Sequence, residues 1–234
     1  MKFTIPLFFL LFSSTMFADN SWRHSFSLGF NVAKGNNDTT QLNAKLDGNK
    51  KGEDSKLSYG LSANSGEDQD QQITNNYGAK VQYDKNYSAK AYWLITASLD
   101  IDKIADLDRR VYLGPGLGYN IIKKDNATFD FELGIAYLET KYDGVSGESD
   151  LGYRIAEIYT RQLSENANLW QSAEFLGNGG ESDAYVIKAE LGVETSIVGG
   201  FNIKSYIQDT YNNQPARGKK KNDFAFVTML VYKF

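Results

Sequence analysis

The feature that most constrains this chain is a period-two alternation of apolar residues, which recurs from Trp22 to the last residue. In one stretch the odd positions from Phe129 to Tyr137 are all apolar, whereas Asp130 and Glu132 lie between them. Alternation of this kind places successive side chains on opposite faces of a β-strand. Twelve such segments follow one another along the chain. The sequence therefore predicts an all-β fold of about 12 strands.

The connections between these segments alternate in length. The odd ones are longer on the whole: Lys34–Asp38, Ser65–Asp70, Lys103–Asp106, Asp143–Ser149, Gly177–Asp183 and Asn212–Asp223. The even ones are short, apart from Asn49–Asp54. Long loops on one rim and short turns on the other are typical of outer-membrane barrels, whose termini lie on the short-turn, periplasmic side. An even strand number also lets the first and last strands pair. We expect a closed antiparallel transmembrane β-barrel with longer extracellular loops.

The polar face of the segments favours a membrane barrel over a soluble one. It carries Asp130, Glu132, Lys188, Glu190, Glu194, Lys204 and Gln208, which could not pack as a dry core. An apolar face turned toward lipid and a charged face turned toward a wet lumen resolve this problem. Tyrosine and tryptophan at the segment ends fit aromatic girdles at the two membrane interfaces. A soluble exported sandwich is the alternative.

Two polar residues oppose this assignment of faces. Glu157 and Ser205 both fall on the apolar series of their segments. A charge facing lipid destabilises a barrel. A β-bulge that shifts the register would turn Glu157 inward, although no sequence signal marks one.

The first 18 residues are typical of a secretory signal peptide. Met1-Lys2 gives a positive start, residues 3–12 are almost entirely apolar, and Ala18 precedes a polar stretch. We expect a signal peptide over 1–18 and a barrel domain over 19–234; a buried N-terminal strand is the alternative. The chain has no cysteine. Its 25 Lys+Arg residues against 29 Asp+Glu give a net charge of −4, without the basic excess expected of a nucleic-acid binder.

The middle of the chain resembles a known family. The residues that carry the resemblance are Tyr77, Val81–Asp84 and Trp93, then Asp100, Asp102 and Leu107–Arg110, then Gly114–Tyr119, Phe131–Gly134 and Tyr137. They resemble the salt-induced outer-membrane protein family, whose domain has no known function. The resemblance implies an integral barrel of the bacterial outer membrane and brings no catalytic residue. The aromatic end at Phe234 resembles the signal by which the barrel-assembly machinery recognises its clients.

The charged inner face supplies the candidate lumen-lining residues. They are Arg110, Asp130, Glu132, Arg154, Lys188, Glu190, Glu194 and Lys204. Carboxylates such as Glu190 and Glu132 could perform acid–base chemistry. Their cationic neighbours favour a structural ion network instead.

Other chemistry has weaker support. The only histidine, His24, lies near the expected periplasmic end, whereas Ser146 lies in an expected outer loop. A serine nucleophile needs a base within hydrogen-bond reach. Gly114, Gly116 and Gly118 alternate inside a strand, unlike a phosphate loop. The acidic loops match no calcium-loop spacing. We therefore expect no catalytic site, cofactor or metal.

The most basic segment lies in the longest loop. Arg217, Lys219, Lys220 and Lys221 either contact lipopolysaccharide phosphates or form a solvated loop tip. The expected partners are outer-membrane lipid, lipopolysaccharide and the assembly machinery, with the barrel a monomer. The sequence favours a narrow passive pore for small solutes or ions. A non-conducting structural barrel is the alternative, and an outer-membrane hydrolase is a weaker one.

Overall fold

The computed structural model describes residues 22–33 and 39–234, which form twelve β-strands. The strands are β1 Trp22–Ala33, β2 Thr39–Lys51, β3 Ser55–Asp68, β4 Gln71–Asn86, β5 Ala91–Asp102, β6 Leu107–Lys124, β7 Ala127–Tyr142, β8 Glu148–Gln162, β9 Ala167–Asn178, β10 Tyr185–Val198, β11 Phe201–Asn212 and β12 Asn222–Lys233. The predicted signal peptide and the connection 34–38 lie outside the described residues. Within the described parts, no helix is long and apolar enough to cross a membrane.

The sheet closes on itself. Each strand pairs antiparallel with its neighbours in chain order, and β1 pairs with β12, with Ser25 opposite Lys233 and Leu28 opposite Leu230. The closure continues to the last residue, because the His24 and Phe234 backbones exchange hydrogen bonds of 2.8 and 3.0 Å. The predicted twelve-stranded antiparallel barrel is confirmed.

The two faces of the barrel differ as the alternation predicts. The large side chains that are buried most completely all belong to the inner face: Leu94, Thr96, Tyr112, Glu132, Met229 and Val231. Apolar side chains stand exposed on the outer face, including Leu117 at 61% and Phe226 at 67%. A wall that is apolar outside, around an interior that holds charged side chains such as Glu132 and Arg154 beside apolar ones, is the arrangement of a membrane barrel. The fold is therefore a transmembrane β-barrel.

The connections divide into two rims. The long-loop rim consists of residues 69–70, 103–106, 143–147, 179–184 and 213–221. The short-turn rim consists of residues 52–54, 87–90, 125–126, 163–166 and 199–200 and carries the C-terminal residue. One predicted loop, Ser65–Asp70, is shorter than expected. Strand pairing continues past Gly66 to Asp68 through a bulge, which leaves only a two-residue turn.

The glycines of β6 and β7 make room for tyrosines in the lumen. The Tyr92 ring occupies the space that a side chain at position 118 would need, and the Tyr112 hydroxyl lies 2.9 Å from where a Cβ of residue 134 would stand. Both rings are buried. The alternating glycines therefore permit close packing inside the barrel and form no phosphate loop.

Glu157 remains on the outer face. The β7–β8 pairing has no bulge, and Glu157 lies opposite the outward-facing Phe131. Its Oε1 accepts a hydrogen bond of 2.8 Å from Gln171 Nε2 on β9. Ser205 is similarly outward, and its hydroxyl lies 3.0 Å from that of Thr228. Glu157 and Ser205 thus each have a polar neighbour on an adjacent strand, which lowers the cost of their exposure to lipid.

Replacing Glu157 with leucine is expected to raise the free energy of unfolding by up to about 1 kcal/mol, because a carboxylate on the lipid-facing surface opposes insertion. The measurement is the urea midpoint of the barrel refolded in lipid vesicles. Glu165→Leu, in the exposed 163–166 turn, serves as control and should change stability little. A lower midpoint for Glu157→Leu would contradict the lipid exposure of this residue.

Candidate functional site

The structure places all eight sequence-predicted lumen residues on the inner face of the barrel wall. The strand register fixes this orientation. Each of these residues lies on the same face of its strand as a buried inner residue, or its side chain bonds to such a residue. They come from five strands: Arg110, Asp130, Glu132, Arg154, Lys188, Glu190, Glu194 and Lys204. These side chains do not form a uniform ring. Four of them belong to two clusters with different surroundings, Glu132 and Arg154 to the first and Glu190 and Lys204 to the second.

The first cluster, here the central network, is built around Glu132. Arg154 donates from Nη1 to Glu132 at 2.7 Å and from Nε to Glu174 at 2.6 Å. The other carboxylate oxygen of Glu132 accepts from the Tyr92 hydroxyl and from Gln82 Nε2, both at 2.9 Å. Both oxygens of Glu132 are therefore satisfied by donors, as a buried carboxylate requires.

Three ion pairs cross the lumen rather than following the wall. Lys80 on β4 reaches Glu174 on β9 at 3.0 Å. Both lie near the middle of their strands, and four strands separate them on the shorter path round the barrel. The other two pairs are Lys45–Glu190 at 3.6 Å and Lys188–Asp100 at 2.7 Å, the latter nearer the long-loop rim. Side chains from opposite walls thus meet within the barrel.

The second cluster, here the lateral cluster, combines lysines with aromatic rings. Lys204 Nζ lies 4.2 Å from the centre of the Trp170 ring, and Lys45 Nζ lies 4.6 Å from that of Tyr206. Glu190 approaches Lys45, as above. The cation–π contacts and the ion pair with Glu190 together fix the positions of these lysines. Farther along, toward the short-turn rim, Glu194 pairs with Lys233 and accepts from Asn202.

Solvent reaches the two parts of the lumen unequally. The side chains of Arg154 and Glu132 are only 3% exposed, so this pair is dry. Lys80 and Lys188 are 43% and 33% exposed, although both bridge the lumen. An ion pair in contact with water is weak and exchanges its partner readily. The lumen therefore has a dry side, around Arg154 and Glu132, and a wet side whose charges are in contact with water.

Several residues of these clusters were not among the predicted lumen residues. Lys80 and Gln82 alternate with apolar Ala79, Val81 and Tyr83, so the period-two pattern did contain their signal. Tyr92 gave none, because its segment is apolar on both faces, and Trp170 gave none, because the register of its segment could not be assigned from the sequence. Room for these inward rings comes from glycines on the adjacent strands, Gly118 beside Tyr92 and Gly192 beside Trp170.

The structure does not bring His24 and Ser146 together in an arrangement typical of hydrolytic catalysis. His24 lies near the short-turn rim, with Nδ1 2.9 Å from the Tyr59 hydroxyl and its ring packed on Trp22 and Phe234. Ser146 belongs to the connection 143–147 on the opposite rim. In the described parts of the chain, no cluster of acidic and histidine side chains is placed to hold a metal ion.

The basic loop 213–221 is partly occupied by contacts within the protein. Lys219 donates to the Ile104 carbonyl at 2.7 Å and pairs with Asp106 at 2.9 Å. Lys221 donates to Asn213 at 3.0 Å. Arg217 and Lys220 are exposed. The four residues therefore do not present one uniform surface.

Comparison with known proteins places this barrel among outer-membrane folds. An outer membrane channel from Pseudomonas putida F1 is 10% identical, with 91% of this chain and 94% of that chain covered and a TM-score of 0.54. The NanC porin is 8% identical over 90% of this chain and 98% of that chain, with a TM-score of 0.53. At such identities the likeness concerns the fold alone. No curated protein matches the sequence significantly.

The family match is more extensive. A family model described as "Protein of unknown function, DUF481" matches residues 26–234, which is nearly the whole described barrel. The match agrees with the resemblance to an outer-membrane barrel family, and it carries no information on induction by salt. The chain belongs to the DUF481 family.

Proposed function

We propose that this protein is a narrow passive pore of the bacterial outer membrane, through which small ions and solutes cross. The observation that carries the proposal is the partial exposure of the bridging charges Lys80, Lys188 and Glu190 inside the barrel. Water must reach these side chains inside the barrel. A water-filled passage lined with charged side chains conducts ions. Small barrels have little free interior, which makes this passage narrow.

The outer surface supports the location. Exposed apolar side chains cover the wall, and Trp and Tyr occur toward its rims. The N-terminal signal expected from the sequence and the terminal Phe234 belong to the same proposal, with export first and assembly by the barrel-assembly machinery afterwards.

A non-conducting structural barrel is the second candidate. It is favoured by the three ion pairs that bridge the lumen, because paired charges from opposite walls obstruct a passage. In that case the exposed Arg217 and Lys220 would contact lipopolysaccharide phosphates from the long-loop rim. The two candidates differ in one measurable property, which is whether the folded barrel conducts.

Ion selectivity tests the pore proposal at a named residue. Glu190→Gln removes one negative charge from the wet side of the lumen, so the reversal potential under a potassium chloride gradient should shift toward anion selectivity. The measurement is made on the refolded barrel in planar bilayers. Glu165→Gln, in the exposed turn 163–166, is the control and should leave the reversal potential unchanged. Equal potentials for wild type and Glu190→Gln would contradict a conducting path past Glu190.

A further inference from the structure

The guanidinium of Arg110 is buried without an acidic partner. Arg110 lies on the inner face of β6 near the long-loop rim, and only 7% of the residue is exposed. Arg110 donates two long hydrogen bonds to hydroxyl groups, from Nε to Thr140 at 3.4 Å and from Nη2 to Tyr142 at 3.5 Å. Among the described residues, no carboxylate lies within ion-pairing distance of it. A buried cation in this state has strong unsatisfied capacity to bind an anion.

The carboxylate closest in register is engaged elsewhere. Asp100 lies directly opposite Arg110 on β5, and both side chains face inward. The Asp100 carboxylate instead accepts a hydrogen bond of 2.7 Å from Lys188, across the lumen. The neighbouring Arg109, on the outer side of the same strand, has a partner in Glu139 at 3.0 Å from its Nε. Arg110 is thus the buried arginine whose counter-ion the described chain does not supply.

A cavity opens beside this guanidinium. Its volume is about 120 Å³, which is several times the space needed for one water molecule. The buried side chains of Leu138, Leu176 and Val186 contribute an apolar floor. Glu148 also lines the cavity and belongs to its exposed part. The site therefore combines one buried cation, an apolar floor and access from the long-loop rim.

Polar groups around the cavity are fixed in position. The Tyr142 hydroxyl accepts a hydrogen bond from Asn212 Nδ2 and donates one to the Gln214 carbonyl, both at 2.9 Å. These bonds join β7 to β11 and to the loop that follows it, on the other side of the cavity. A guanidinium has five N–H donors in a planar fork, so most of those on Arg110 are free to meet a ligand. A planar carboxylate is the anion that this fork matches best.

We propose that this cavity binds the carboxylate group of a small organic acid, with Arg110 as the anchor. The ligand's short apolar part lies on the floor of Leu138, Leu176 and Val186. Its carboxylate pairs with the Arg110 guanidinium, which Asp100 leaves without a counter-ion. The site lies at the mouth of the barrel and does not require the lumen to conduct. Its test is therefore separate from that of the pore proposal.

The test uses the full refolded barrel in detergent micelles, labelled with ¹⁵N at the arginine side chains. Sodium acetate is titrated at constant ionic strength maintained with sodium chloride, and acetamide serves as the uncharged analogue. The Arg110 Nε resonance, assigned by its absence in Arg110→Gln, is expected to shift in a saturable way with acetate only. A resonance that does not move, or that moves equally with acetamide, would overturn the proposal.

Variants separate the anchor from its surroundings. Arg110→Gln should weaken acetate binding about tenfold or more, since it removes charge-assisted hydrogen bonds; binding is followed here through the ligand's own ¹H signals. Arg110→Lys should retain weaker binding, because a point charge remains without the fork. Arg109→Gln is the matched control and should bind as the wild type does. Heat-modified gel mobility establishes that each variant is folded. Wild-type affinity in Arg110→Gln would exclude Arg110 as the anchor.

Discussion

Replacing Arg154 with glutamine is expected to lower the free energy of unfolding of the barrel by about 3–5 kcal/mol. Arg154 and Glu132 are buried together, and Arg154 is the shared partner of Glu132 and Glu174. Its loss leaves the Glu132 carboxylate charged and dry, with only the neutral donors Tyr92 and Gln82. The measurement is equilibrium urea unfolding in lipid vesicles, followed by tryptophan fluorescence.

Arg109→Gln provides the comparison for this result. Arg109 also pairs with a glutamate, Glu139, but its side chain is 41% exposed. Breaking an exposed pair costs about 0–1 kcal/mol, because water replaces the lost partner. We therefore predict that Arg154→Gln lowers the free energy of unfolding far more than Arg109→Gln does. If Arg154→Gln were no more destabilising than Arg109→Gln, the central network would not be the dry structural core of the lumen.

Replacing Lys80 with alanine is expected to raise the single-channel conductance several-fold. The Lys80 side chain bridges the lumen to Glu174 in the middle of the barrel, and it stands on the wet side. Its removal widens the passage and leaves Glu174 bonded to Arg154 at 2.6 Å, so no buried charge is stranded. The measurement compares conductance steps of wild type and variant in planar bilayers at the same salt concentration.

Lys85→Ala is the matched control for this substitution. Lys85 lies on the same strand, near the short-turn rim, and pairs with Asp54 at 2.7 Å outside the lumen. Its loss should leave conductance unchanged and stability nearly so. Equal conductance of Lys80→Ala and wild type would show that the cross-lumen pair does not limit the passage.

The fold could be predicted almost completely from the sequence, because strand alternation is a local property. The odd positions from Phe129 to Tyr137 face outward as expected, and the register of β7 with β8 keeps Glu157 on that face without the bulge that would turn it inward. The positions of the strand ends were predicted less accurately. The β3–β4 turn occupies only residues 69–70, since polar residues up to Asp68 continue the ladder beyond the apolar pattern.

The candidate site could be predicted only in part. Alternation assigns Glu132 and Arg154 to the inner face, but it does not tell which partner each one reaches. The bonds from Arg154 to Glu174 and from Lys80 to Glu174 depend on the diameter and shear of the closed barrel. Tyr92 was not identified, because its segment is apolar on both faces and its space comes from Gly118 on the next strand.

The most direct test of the central claim is the conductance of the wild-type barrel in a planar bilayer, with a heat-shifted gel band to show that it is folded. We predict small, discrete conductance steps, as expected of a narrow lumen whose bridging charges remain in contact with water. A folded, inserted barrel that never conducts would contradict the pore. The ion pairs across the lumen would then be a permanent seal.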